Sequence, residues 1–159
     1  MRGNEKVIEQ LNGALKAELG AILQYIVHSE MQNNWGYQKL GGYIKKQAID
    51  EMRHAEGLIE RILFLEGTPN VDVMPGPQIG GNVKAQLEND LAGELGAVRQ
   101  YNAAVKICTE AGDNGSRELF EKMVGDEEGH TNWLEGQLFL IDQTGLDNYL
   151  ATQIHGEGH

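Results

Sequence analysis

The chain repeats itself. Glu18-Leu19-Gly20-Ala21-Ile22-Leu23-Gln24-Tyr25 returns 76 residues later as Glu94-Leu95-Gly96-Ala97-Val98-Arg99-Gln100-Tyr101. Asp50-Glu51-Met52-Arg53-His54 returns at the same offset as Asp126-Glu127-Glu128-Gly129-His130. A duplicated unit of this length must contain its own supersecondary structure, so the chain is read as two equivalent hairpins within one domain spanning residues 1–159.

Each hairpin is helical. Apolar residues recur at steps of three and four, the spacing of one helix face. The stripes run Ile8, Leu11, Leu15, Glu18, Ile22, Tyr25; then Ile44, Ala48, Glu51, Ala55, Leu58, Ile62, Leu65. After them come Leu87, Leu91, Glu94, Val98, Tyr101, Val105, Cys108, and Phe120, Val124, Glu127, Thr131, Leu134, Leu138, Ile141. Turn chemistry at Asn33-Asn34-Trp35-Gly36 and at Ala111 to Ser116 divides each pair. The spacing predicts helices over about 4–34, 37–65, 83–111, 116–143 and a short fifth at 146–154.

All three prolines (Pro69, Pro75, Pro77) fall in the segment 66–82, whose 17 residues reach roughly 55 Å when extended. A helix of this length is about 45 Å long. The segment can therefore cross the whole bundle and set helices two and three parallel. Two hairpins and one long crossover make an all-α, ferritin-like four-helix bundle. Glycines inside the helices (Gly20, Gly57, Gly93, Gly96, Gly125, Gly129) each cost roughly 1 kcal/mol against alanine. Close approach of a neighbouring helix or a ligand is the expected reason for them.

Each stripe carries one glutamate. Glu18 and Glu51 lie 33 residues apart with the first turn midway, and Glu94 and Glu127 repeat that spacing about the second. All four should meet at mid-bundle, facing inward. Four carboxylates in a low-dielectric core would be neutralised unless cations joined them. His54 and His130 follow Glu51 and Glu127 by three residues, one turn along the same face. An isolated Glu-x-x-His is usually a salt-bridged surface pair. Here Glu18, Glu51, His54, Glu94, Glu127 and His130 agree in stripe, height and repeat. The set matches that of di-iron and di-manganese carboxylate bundles, and its hard oxygens suit iron or manganese better than structural zinc.

The remaining composition narrows the partners. Thirteen Lys and Arg against 24 Asp and Glu give a net charge of −11, which disfavours nucleic acid and membrane surfaces and favours cations. No long apolar run marks a span or a leader, and the single Cys108 builds no disulfide framework. A cytoplasmic protein is expected.

Over essentially its whole length the chain resembles bacterioferritin, the haem-containing ferritin of bacteria. The resemblance rests on the ligand set and on Trp35-Gly36, Ile49 to Ala55, Glu60-Arg61-Ile62-Leu63-Phe64-Leu65-Glu66-Gly67, and Asp126 to His130 with Trp133-Leu134-Glu135. It implies a ferroxidase, an Fe(II):oxygen oxidoreductase using O2 or H2O2, that stores Fe(III) mineral in a closed shell of about 24 subunits. It implies that Glu51 and Glu127 bridge two irons, with Glu18 and His54, and Glu94 and His130, as terminal ligands. Tyr25 matches the family's tyrosine beside the site, and Trp133 matches a tryptophan linked to electron movement or to packing.

Met52 lies about 100° round the helix from Glu51, so it belongs to a second apolar face with Ile49, Ile59 and Leu63. That face should bury against another subunit. The resemblance adds that the matching methionine and its twofold mate ligate a b-type haem, one per dimer, which would assist electron transfer for iron release. A small ferredoxin is the reductant it offers, although Thr68 and Gly81 depart from the surface residues many relatives use to meet one. Lys46 stands where many relatives have a histidine, which weakens the case for an inner-surface iron site near Asp50. His28 is expected to be a packed or surface residue, and the tail His155 to His159 a flexible end. Two other readings share the bundle: a di-metal peroxidase or oxygenase acting on a peroxide or organic substrate, and a passive metal-buffering cage.

Overall fold

The computed structural model describes residues 1–72 and 76–155. Pro75 and the tail residues Gly156 to His159 lie outside them. Four long helices, α1 (Glu5–Asn34), α2 (Gln38–Phe64), α3 (Val83–Glu110) and α4 (Asn114–Thr144), are followed by a short α5 (Leu146–Ala151). Asn4, Asn82 and Asp113 cap α1, α3 and α4 with side-chain oxygens that accept from first-turn amides. Asp113 takes both the Ser116 amide and the Ser116 hydroxyl. That cap draws Asn114, Gly115 and Ser116 into the first turn of α4, two residues earlier than turn composition suggests. Helix α5 stops at Ala151, short of the expected 154.

The duplication is visible in the turns. Gly36 and Gly112, 76 residues apart, both take positive φ (93° and 70°). At the first, the amides of Gly36 and Tyr37 bond Asn33 and Gln32 carbonyls; at the second, Gly112 and Asp113 bond Thr109 and Cys108. Both are glycine-terminated helix ends that satisfy the last carbonyls.

Directions follow from pairings across the bundle. Ser29 meets Gly41 and Glu18 meets His54, so α1 and α2 are antiparallel. Tyr101 meets Glu18, Tyr25 meets Glu94 and Gln32 meets Gln86, so α1 and α3 are antiparallel too. Helices α2 and α3 are therefore parallel, and the segment 65–82 is the long crossover of a ferritin-like bundle.

Two apolar clusters fill the core at opposite ends. One gathers Leu11, Leu15, Leu58, Ile62, Tyr101 and Phe120; the other gathers Tyr25, Leu40, Ile44, Leu87, Leu134 and Tyr149. On every long helix the glutamate of the stripe sits between its contributions to the two. Burying a large apolar side chain stabilises by about 1.5–3 kcal/mol, and the clusters offset the charged layer between them. Five of the helical glycines do not fit the expectation of close neighbours: Gly20, Gly93, Gly125 and Gly129 meet nothing within 4 Å, and Gly96 only an Arg99 tip at 3.9 Å.

Candidate metal centre

Glu18, Glu51, Glu94 and Glu127 are 2% exposed or less. Each is delivered by a different helix. His54 and His130 close the layer on the α2–α4 side. Their Nδ1 atoms turn inward: His54 Nδ1 lies 3.4–3.7 Å from Glu127, Glu51 and Glu18, and His130 Nδ1 lies 3.0–3.7 Å from Glu51, Glu127 and Glu94. Two cation-sized groups result, Glu18-Glu51-His54-Glu127 and Glu51-Glu94-Glu127-His130, with ligand atoms within 4.8 Å of one another. Glu51 and Glu127 belong to both.

Several polar atoms of the layer are left without hydrogen-bond partners. Glu18 Oε2, both Glu51 oxygens, Glu94 Oε2, Glu127 Oε1 and the Nδ1 atoms of His54 and His130 are buried and make no hydrogen bond. A buried polar group without a partner costs about 1–3 kcal/mol, and folded proteins rarely tolerate several together. Seven such atoms, converging from six residues, fit a pair of divalent cations.

The electrostatics agree. Burial, followed by the neighbouring Glu18 carboxyl, pushes Glu51 up to about 9. Burial outweighs the His54 contact at Glu127 and pushes it up to about 11. Burial acts the other way on the imidazoles, but the carboxylates prevail. Glu94 foremost raises His130 to about 9, and Glu127 foremost raises His54 well above its usual range. At Glu94 burial opposes ionisation, yet His130, Glu127 and Tyr25 hold it below the ordinary carboxylate value. Without cations the layer keeps protons that cations would displace.

An outer ring steadies these side chains, and each half serves the other. His54 Nε2 donates to Asp126 Oδ2 at 2.8 Å, and His130 Nε2 faces Asp50 Oδ2 at 3.4 Å. An outer carboxylate fixes the imidazole tautomer and frees the inner nitrogen to bind metal. The Tyr25 hydroxyl donates to Glu94, and the Tyr101 hydroxyl donates to Glu18 Oε1 at 2.5 Å. Of this ring, sequence reasoning singled out Tyr25 alone. Asp126 and Tyr101 went unassigned and Asp50 was considered only beside an inner-surface iron site, although the repeat that relates Asp50 to Asp126 also carries Tyr25 onto Tyr101.

Between α1 and α3 a cleft of about 470 Å³ reaches these carboxylates, its walls including Gly13, Ala17, Gly20, Gly93, Gly96 and Ala97. Here the open glycines acquire a meaning: side chains in their place would narrow the approach. Met52 stands apart, 47% exposed on the outer side of α2. Exposed Ile49, Leu63 and Phe64 share its helix, and Leu23, Ile26 and Val27 are exposed on the adjoining α1. Trp133 stacks on Tyr43, ring centroids 3.9 Å apart. His28 is wholly buried and bonds Asp90, so of the packed and surface positions expected for it the packed one holds. Among the described residues no helix is long and apolar enough to cross a membrane.

Known proteins corroborate this architecture. The ferritin-like domain family matches residues 8–144. Bacterioferritin of Brucella melitensis is 46% identical over 149 residues, 94% of this chain and 92% of that one. Bacterioferritin of Rhodobacter capsulatus matches with the same identity and coverage. Bacterioferritin of Mycolicibacterium paratuberculosis is 42% identical over 151 residues, 95% of each chain. A ferritin-like domain match over most of the chain and near-complete alignment at 42–46% identity leave one conclusion: the chain belongs to the bacterioferritin family.

Proposed function

We propose that the chain stores iron and oxidises it on the way in, taking Fe(II) as substrate at the six-residue layer. The seven buried atoms carry this reading, because no hydrogen bond within the protein satisfies them. Glu51 and Glu127, common to both cation groups, are the bridging ligands; Glu18 with His54 and Glu94 with His130 are terminal. Anionic oxygens bind Fe(III) more strongly than Fe(II), so loss of an electron is favoured where Fe(II) is held. Two Fe(II) supply two electrons, enough to reduce O2 to H2O2 or H2O2 to two waters. The cleft between α1 and α3 admits the small reactants. The outer carboxylates and tyrosines hold the ligands in place while protons leave and iron enters.

Met52 fits a second role. Met52 is about half exposed on an apolar face that a second copy of the chain would cover, and a thioether is an accepted axial ligand of haem iron. We assign Met52, with its mate across a twofold, to a b-type haem. Bound there, haem supplies a one-electron couple suited to reducing stored Fe(III). The shell is a closed assembly of about 24 copies of this 17.5 kDa chain, in the cytoplasm, with a small ferredoxin as the class of reductant.

The test combines size and rate. The purified protein should elute near roughly 420 kDa, about 24 times the chain mass. Given two Fe(II) per subunit under nitrogen and then mixed with O2, it should oxidise them far faster than buffer and retain the iron on a second column pass. Rapid oxidation by a small species that keeps no iron would sink the storage reading and favour a di-metal oxidase. Slow oxidation by a large particle would leave a passive cage.

A further inference from the structure

Tyr101 is fully buried on α3, its ring against Phe120 of α4. A phenol in such a core needs a partner for its hydroxyl, and the partner here is Glu18 Oε1, on α1, at 2.5 Å. The second oxygen of that carboxylate, Oε2, has no hydrogen bond at all. Across the bundle the arrangement is copied: Tyr25 donates to Glu94 Oε1, and Glu94 Oε2 is left without a partner. In both glutamates one oxygen accepts from a tyrosine of the other half, and the other oxygen makes no hydrogen bond. The two rings belong to opposite apolar clusters, so they hold the layer from both ends.

We propose that Tyr101 is a positioning residue for the metal position built on Glu18 and His54, the counterpart of Tyr25 for the position built on Glu94 and His130. Each metal position is then held by terminal ligands from one half of the repeat and oriented by the tyrosine of the other. This rests on the di-metal reading above, which fixes the order of the controls.

The test uses the assembled protein and Co(II), whose visible bands report binding without iron oxidation. Unaltered protein should take two Co(II) per subunit; failure to do so overturns the metal centre itself, and this inference with it. Tyr101→Phe removes one oxygen and keeps the ring against Phe120. It should weaken one of the two equivalents about tenfold or more, the effect usual for loss of a ligand's outer partner, and leave the other unchanged. Tyr25→Phe should weaken one equivalent likewise, and the double variant both. In a His54→Ala background, which removes the Glu18 position, Tyr101→Phe should cost nothing further while Tyr25→Phe still should. A role in packing alone would lower the melting temperature without this selectivity. Two equivalents of unaltered affinity in a Tyr101→Phe protein would overturn the proposal, as would equal weakening of both.

Discussion

His28 lies wholly out of water on α1 and joins three parts of the chain. Its Nδ1 donates to Asp90 of α3 at 2.9 Å, and its Nε2 accepts the Gly80 amide of the crossover at 3.0 Å. An Nε2 that accepts is unprotonated, so the proton sits on Nδ1. Gln24 supports the same Asp90 oxygen and also takes the Gln78 amide. His28→Ala would leave Asp90 and Gly80 short of partners in the interior, at a cost of about 2–4 kcal/mol. A lowered denaturation midpoint and faster amide exchange at Gly80 would register it; an unchanged midpoint would show that the crossover is held by other contacts. Sequence spacing gave no hint of this residue's partners, which stand 62 and 52 positions away across a non-repeating segment. The inward burial of the four glutamates and two histidines, by contrast, was legible at once. Periodicity places them on stripes, the turns set their height, and the repeat supplies a second copy of every argument. Asp126 falls between these cases. It is exposed and reads as solvated surface, yet it anchors His54, and Asp126→Ala should weaken Co(II) binding about 10- to 100-fold. A titration indistinguishable from unaltered protein would make it a surface ion pair.

At the scale of helices the reading from sequence held where pattern is redundant and slipped where a side chain decides. Four stripes, two glycine turns and one proline-bearing crossover all have local signatures. The start of α4 depends instead on whether Asp113 or Ser116 acts as the cap, and both are good caps; Asp113 captures Ser116 and settles it. The helical glycines were legible as anomalies but not as to cause, because sequence cannot distinguish a tight contact from empty space. Gly20 and Gly93 face open space beside the carboxylates, so Gly20→Ala and Gly93→Ala should each stabilise by about 0.5–1 kcal/mol. Gly80 is the opposite case. A Cβ there would stand 2.5 Å from the Gln86 backbone nitrogen, and Gly80→Ala should destabilise. Larger side chains in the cleft, Gly20→Leu with Gly93→Leu, should slow Fe(II) oxidation while Co(II) still binds at equilibrium. Unaltered oxidation rates in a correctly folded variant would place the approach to the layer elsewhere.

The molecule as a whole concentrates its charge problem in one layer. The exposed excess of acid is cheap in water; the cost lies at Glu51, Glu127, His54 and His130, where protons stand in for cations. The pH dependence of stability follows from where those protons are held. Glu51 binds its proton near 9 when folded, against 4.5 ordinarily. Its contribution is therefore complete below about pH 4.5 and disappears as pH rises through 9. His130 moves from 6.5 to about 9, so its share is complete below 6.5 and is likewise lost on the way to 9. Glu94, held below its ordinary value, works in the opposite sense but only in acid. From pH 6.5 to 9.5 the chelator-treated protein should thus melt at progressively lower temperature. Divalent cations reverse the trend, because they replace the departing protons and bind more tightly as competition from protons falls. Melting curves across this range, with chelator and with saturating Co(II), should diverge steadily as pH rises. Parallel curves would mean that the carboxylates are already ionised and paired without metal, and the buried layer would then be an ion-pair network rather than a binding site.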